Sequence, residues 1–484
     1  MHRIQRNMTD KGEVAREFGP IDGLRVILSF WVVACHVCSL LLYFVYVGAP
    51  QQPDKLLSLS NSWWTFFSIG MGYQVDVFFM VSGFLTTWSL LTKKSHFSGN
   101  ISRDIIVLLN RRLLRLWPAV LVLIVVTYFV GDLNSDNWPV LLSTLSFPIN
   151  RNLPQAFGLN WSTRVDLQCT VILFAVFAAL HKYNLINTYS AIGVSLLSFI
   201  PKLWRFFSAR ELVSYLSVRL SPNPSDILLP VYMTSERQNY YNDVLYPGQF
   251  EQAFVEDVGA YKLRIMKNEY LVYHQRITPF FIGFVLAVVM YSTRQQQAKA
   301  VGWMKKLFHM LCLLFSMLVV LQPLLLPLLT SQNGQPKFLQ PGESPPIGLD
   351  LFISVLNRPI FAVGFAYLLY RCMLPRDHGL HARYLNSLLS HPILIYFAQY
   401  SYGIYTIHMK VMIEVMWRFF PPKTLIKMFG SENVFWQFLF CFVTTYVFTA
   451  VCAVAMHHVV EKPFAKYIAE PWMRVLEGRV LSKL

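Results

Sequence analysis

Charge is what this chain has least of. Only 14% of its 484 residues are Asp, Glu, Lys or Arg, while 55% are hydrophobic, and that balance excludes an ordinary soluble domain. Acidic residues are scarcest, 26 against 42 Lys and Arg, for a net charge of +16. The excess does not suggest nucleic-acid binding, because the basic residues stand in short clusters between apolar runs, where membrane topology puts them. Cysteine is sparse as well. Cys35, Cys38, Cys169, Cys312, Cys372, Cys441 and Cys452 fall mostly inside apolar runs, so neither a disulfide framework nor redox chemistry is implied. There is no phosphate-binding Gly-rich loop, no Gly-x-Ser-x-Gly elbow and no His-Glu-x-x-His helix. Their absence sets aside the commonest nucleotide, serine-hydrolase and zinc-hydrolase readings. His457, His458 and Glu461 sit close together in "MHHVVE", but with no Cys-x-x-Cys partner no metal site is expected. Internal repeats and low-complexity tracts are also missing, which argues against an inverted-repeat transporter.

Long apolar runs are what the chain has in quantity. A span needs about 20 mostly apolar residues to cross roughly 30 Å of hydrocarbon. Ten stretches meet this, near 24–47, 69–92, 113–131, 164–181, 187–204, 277–292, 307–329, 351–370, 394–419 and 435–458. The expectation is an all-α integral membrane protein, a bundle of about ten transmembrane helices. The first 23 residues are polar and mixed in charge, unlike a cleavable signal, so Ile21 onward is expected to be a retained first span. Lys and Arg sort cleanly between the two sets of connections, 23 on one side and five on the short connections of the other. By the positive-inside rule both termini are then cytosolic. Three parts follow: a cytosolic segment 1–20, a membrane domain 21–464, and a cytosolic tail 465–484. The one long outer loop, 205–276, is near neutral and rich in tyrosine. It suits either a surface on which sugars stack or a structural cover for the bundle.

Ionisable residues inside spans are costly and mark function by default. "IDGLRVILSFWVVACH" carries Arg25 and His36, eleven residues apart, which on an α-helix means about 20° in azimuth and roughly 16 Å in height. They share one face. Taken singly, Arg25 reads as a snorkelling interface residue and His36 as a packed hydrogen-bonding group; aligned, they suit an anion anchor at the cytosolic mouth and a base deep in the bilayer. In "YQVDVFFMVSGFL" Asp76 needs a partner such as Arg164, Arg358 or a histidine, while Ser82 and Gly83 suit close helix packing. Arg111, Arg112 and Arg115 in "NRRLLRLWPA" suit topology control and lipid headgroups, or else a phosphate clamp. Asp166 stands near Arg164 and Gln168 at the outer end of the fourth span. "YSYGIYTIHMKVMIE" holds Tyr405 and His408, with Lys410 and Glu414 placed for an i,i+4 ion pair. In "VVEKPF", Pro463 is expected to end the last span, with Glu461 pairing a cytosolic arginine.

Taken in order, "DGLRVILSFWVVACH", "VDVFFMVSGFL", "RRLLRLWP", "WSTRVDLQ", "HQRITPFFIGFVLAVV", "SYGIYTIH" and "VEKPF" resemble the membrane acyltransferase-3 family, especially its nose-resistant-to-fluoxetine-like eukaryotic branch. The resemblance runs from about Ile21 to Phe464. It implies a ten-helix O-acyltransferase that takes an acyl group, most often acetyl, from cytosolic acyl-CoA to a hydroxyl of a sugar, lipid or other acceptor. Matched residue by residue, it makes His36 the catalytic base and Arg25 a ligand of the CoA phosphates, with Arg111, Arg112 and Arg115 as the family's cytosolic arginines. Asp76, Ser82, Asp166, Tyr405, His408 and Glu461 stand as further site candidates. Implied partners are the bilayer, acyl-CoA as co-substrate with no metal, and a glycan or lipid acceptor. An endomembrane such as the endoplasmic reticulum, or the plasma membrane, would house it. The competing reading is a transporter or lipid-handling protein that uses the same buried charges without acyl chemistry.

Overall fold

The computed structural model describes residues 18–48, 73–92, 101–129, 161–208, 273–295, 310–312, 314–319, 331–332, 335–336, 351–373 and 380–481. The helices in chain order are α1 (Gly19–Gly48), α2 (Tyr73–Thr92), α3 (Ile101–Phe129), α4 (Trp161–Lys182), α5 (Thr188–Leu197), α6 (Ile200–Ser208), α7 (Tyr273–Gln295), α8 (Asn357–Met373), α9 (Leu380–Leu389), α10 (Pro392–Ala398), α11 (Ser401–Glu414), α12 (Pro422–Phe429), α13 (Val434–Met456) and α14 (Glu470–Leu481). Apart from one pairing of two-residue strands, Ser331–Gln332 with Gln335–Pro336, the described residues hold no strand. Among the described residues, five stretches are long and apolar enough to cross a membrane: Gly19–Leu41, Tyr73–Thr92, Val165–Lys182, Arg276–Arg294 and Val434–Leu476. The protein is an all-α, multi-pass membrane protein. Most of the loop expected at 205–276, and most of the span expected at 307–329, lie outside the described residues.

Two cores share α1. Its first half, with Leu24, Leu28, Trp31 and Val32, packs into a cluster built by α2, α4, α7 and α8; its second half, with Val33, Val37, Cys38 and Leu41, packs against α11 and α13. The tightest crossing is α2 on α7. A methyl group at Gly83 would collide with the Phe280 carbonyl, and one at Gly283 with the Met80 carbonyl, so the two glycines let the backbones touch reciprocally. Ser82 and Gly83 were expected to serve packing; Gly83 does so, while Ser82 turns to polar partners described below.

Several boundaries differ from the hydropathy reading, each for a local reason. The stretch 187–204 is two helices, α5 and α6, broken at Ser198–Phe199, where Pro201 sits in the first turn of α6. Thr278 of α7 holds that break through a 3.1 Å hydrogen bond to the Ser198 carbonyl. The stretch 394–419 likewise divides into α10 and α11 at Gln399–Tyr400. Pro463 does not end the last span. The chain passes through π-helical turns at His457–Glu461 and Ala465–Ala469 and continues helical to Leu481. A π turn widens the helix and shifts its hydrogen bonds by one residue, which accommodates a ring with no N–H. The tail 465–484 is therefore helical over most of its length, and it packs against α3.

Candidate active site

The exposure pattern of α1 shows which of its faces looks inward. Ile27 and Phe30 are 40% and 46% exposed, marking the outward side. Asp22, Arg25, His36 and Ser39 are partly accessible too, but at a helical period they fall on the opposite side of the cylinder. Arg25 and His36 thus share an inward stripe that stays partly accessible.

At the Arg25 end of that stripe lies a cavity of about 370 Å³. Arg25 enters it from α1, and Arg111, Arg112 and Arg115 enter from α3. The four cations do not have equal surroundings. Arg111 and Arg115, one helical turn apart, are exposed, and Arg25 is held by Asp22 at 3.3 Å. Arg112 faces α4 instead. Its Nε and Nη2 meet the Asp166 carboxylate at 3.0 and 2.5 Å, its Nη1 donates to Thr86 Oγ1 at 2.5 Å, and its Nη2 also reaches Ser82 Oγ. Ser82 in turn donates to Asp166 at 2.5 Å. Arg112, Asp166, Ser82 and Thr86 therefore form one polar cluster that ties α2, α3 and α4 together beside the cavity; Asp166, expected at the outer end of the fourth span, instead stands at the level of the arginines of α3, because its carboxylate is drawn to Arg112. The remaining walls are largely apolar, with Phe78, Phe79, Leu85 and Phe174. A cavity with cations at one end and rings and aliphatic groups behind them can hold a long ligand with an anionic head.

His36 is not among the residues that line this cavity; it is connected to the cavity wall through ring contacts with two side chains of α11. Tyr405 lines the cavity and donates from its hydroxyl to Ser162 Oγ at 2.7 Å. Behind it lies the His408 ring, 5.9 Å from the Tyr405 ring between centroids, and then the His36 ring, 5.2 Å from His408. The order from the cavity into the bundle is Tyr405, His408, His36. Sequence reasoning named all three without seeing that they are consecutive.

Asp76 belongs to another place, at the opposite end of α2. It is fully buried and accepts from Arg276 at 2.7 Å and Arg358 at 2.8 Å, and Lys202, also buried, lies within its field. Arg358 had been anticipated as a partner; Arg276 and Lys202 had not. Both were legible as ionisable residues in or beside the expected spans 277–292 and 187–204, one at the start of "RITPFFIGF" and one in "FIPKLWRFF". Glu461 finds no arginine among the described residues. It pairs with His457 at 2.6 Å, four residues back along its own helix, where i,i+4 side chains share a face. His458 faces Tyr400, with its Nε2 3.4 Å from the hydroxyl. Lys410 and Glu414 do form their ion pair, at 3.0 Å, and Arg418 joins it at 2.6 Å.

Comparison with known proteins bears on this arrangement in one way. No curated protein and no solved structure matches the chain significantly. A family model described as an acyltransferase domain matches residues 19–454, which takes in α1 with Arg25 and His36, the arginines of α3, and α11 with Tyr405 and His408. The chain belongs to the acyltransferase-3 family.

Proposed function

We propose that this protein is an acyl-CoA-dependent O-acyltransferase that moves an acyl group, most simply acetyl, onto a hydroxyl of a glycan or lipid. One observation carries the reading. The cavity lined by four arginines is backed by Tyr405 and His408, and directly behind them, on the same inward stripe of α1 as Arg25, stands His36. Arg25, Arg111 and Arg115 hold the phosphates of CoA by charge and forked donors. Arg112 is committed to Asp166, so its part is to keep α3 and α4 in register beside the ligand. His36 removes the proton from the acceptor hydroxyl, whose oxygen then bonds to the thioester carbonyl carbon. The carbon–sulfur bond breaks, and the thiolate takes the proton from His36 to leave as CoA thiol. The imidazole ends as it began.

The rest of the topology fits this reading. Ten spans with both termini cytosolic, as the Lys and Arg count argues, put the arginine-lined cavity on the CoA side. They also leave His36 to be met by an acceptor from the other side. The eukaryotic nose-resistant-to-fluoxetine-like branch, and an endomembrane or the plasma membrane as its location, complete the proposal. The buried Asp76, Arg276 and Arg358 cluster favours a second reading, a transporter or lipid-handling protein, because such charges also serve conduction. Purified protein in nanodiscs, incubated with acetyl-labelled acetyl-CoA and a membrane extract as acceptor source, separates the two. Release of free CoA with the label on an extractable hydroxyl ester supports the transferase, and an unchanged acetyl-CoA pool supports the transporter.

A further inference from the structure

His408 has an unusual hydrogen-bond account for a packed histidine. It is 2% exposed, and its Nδ1 lies 2.7 Å from the Tyr405 carbonyl oxygen. A carbonyl only accepts, so Nδ1 carries the hydrogen and the tautomer is fixed. Nε2 is then a lone pair, and it is buried with no hydrogen-bond partner. Buried acceptors are normally satisfied, and one left open asks for an explanation. The neighbouring ring is His36, with centroids 5.2 Å apart and planes inclined by 38°. At that separation a ring nitrogen of one imidazole comes within hydrogen-bond distance of the other after a modest rotation about χ2, the soft torsion of histidine.

We infer that His408 is the positioning residue of His36: its open Nε2 accepts a hydrogen bond from the His36 ring N–H as the opposite His36 nitrogen takes the acceptor's proton. This deepens the proposed transferase reading and rests on it. The Tyr405 carbonyl would orient His408, and His408 would orient His36, as a carboxylate orients the base in a catalytic triad. Protons balance without His408 gaining or losing one. The acceptor hydroxyl proton passes to His36 and then to the CoA thiolate, while the second His36 N–H is shared with His408 throughout and strengthens that bond as the imidazolium forms. The arrangement also gives Tyr405 a part. Its side chain walls the cavity while its backbone carbonyl fixes the tautomer of the adjacent His408 ring, so the CoA side and the base are linked through one residue.

The test uses the full chain in nanodiscs with acetyl-CoA. His408→Phe keeps the ring volume and removes the acceptor, whereas His408→Gln can present an oxygen near the Nε2 position. With His408 acting through the base, H408F lowers kcat about 10²-fold and leaves the KM for acetyl-CoA unchanged, while H408Q recovers at least part of the loss. The double variant H36A/H408F is then no slower than H36A alone, since the two act as a unit. Parental kcat in H408F overturns the proposal. So does equal damage by F and Q with a raised KM, which is the mark of a merely structural residue. If H36A itself transfers at the parental rate, it is the base assignment that fails, and that outcome is distinct from either.

Discussion

At the residue scale, the four arginines around the cavity make different predictions because their partners differ. Arg25→Ala should raise the Kd for CoA about tenfold or more and leave the fold intact, as titration calorimetry of the purified variant would show; unchanged affinity contradicts its role. The effect should shrink as salt is raised, since attraction between the CoA phosphates and cations beside the exposed Arg111 and Arg115 is screened within about 8 Å at physiological ionic strength. Arg112→Ala should act on stability instead. It removes the cation that Asp166 bonds through Nε and Nη2, and a lowered midpoint in thermal unfolding is the expected signature. Sequence alone grouped these arginines, because "RRLLR" records spacing and not which neighbour each one meets. Arg111 and Arg115 are four apart and about 40° from each other, while Arg112 is about 100° from Arg111 but only about 60° from Arg115, so helical geometry separated Arg112 from Arg111 but not from Arg115. Asp166 was not identifiable as the partner that way, since α4 is separated from α3 by more than thirty residues.

At the element scale, what the bundle demands of α2 is visible in two features. Near its start Asp76 takes hydrogen bonds from α7 and α8 at once. Asp76→Ala removes the charge those two arginines share and is expected to destabilise by about 3–5 kcal/mol, the range for breaking a buried pair by deleting one member. A denaturant titration in detergent with an unshifted midpoint would contradict it. In its middle the helix meets α7 glycine to glycine, and Gly283→Val should lower the unfolding midpoint because the new methyls would have to displace the Met80 carbonyl. The helices themselves were largely legible: the long apolar runs of α1, α2 and α13 are strong continuous signals, and the shorter or interrupted runs of α4 and α7 were still readable as helices. The breaks were legible only in part. Pro201 just after residues 198–199 and the polar Gln399 were local signals in the sequence, but tertiary contacts such as Thr278 on the Ser198 carbonyl had to be seen before those positions could be fixed. Pro463 misled for the opposite reason. A proline is a sound stop signal for an α-helix, but π turns on both sides relieve the clash that gives the rule its force.

At the scale of the whole molecule, α1 joins the two cores and carries both the proposed anchor and the proposed base, so on this proposal the inward stripe from Arg25 to His36 is the line along which donor and acceptor would meet. The eleven-residue spacing was readable in the sequence and gave their common face; the intervening Tyr405 and His408 could only come from the packing of α11 on α1. Topology makes its own prediction. In sealed vesicles of known orientation, with Cys452→Ala as background, an impermeant maleimide should reach Arg474→Cys from the cytosolic face and Ser431→Cys only from the other; labelling of both from one face contradicts the arrangement. The central claim is narrower, that His36 is the base of an acyl transfer, and one measurement meets it directly. Purified parental protein and His36→Ala, matched for CoA affinity and thermal stability, are compared in a single-turnover assay with acetyl-labelled acetyl-CoA. The account predicts that the parent transfers the label and that His36→Ala, with CoA still bound, falls by at least about 10²-fold. Transfer at the parental rate by His36→Ala would contradict it.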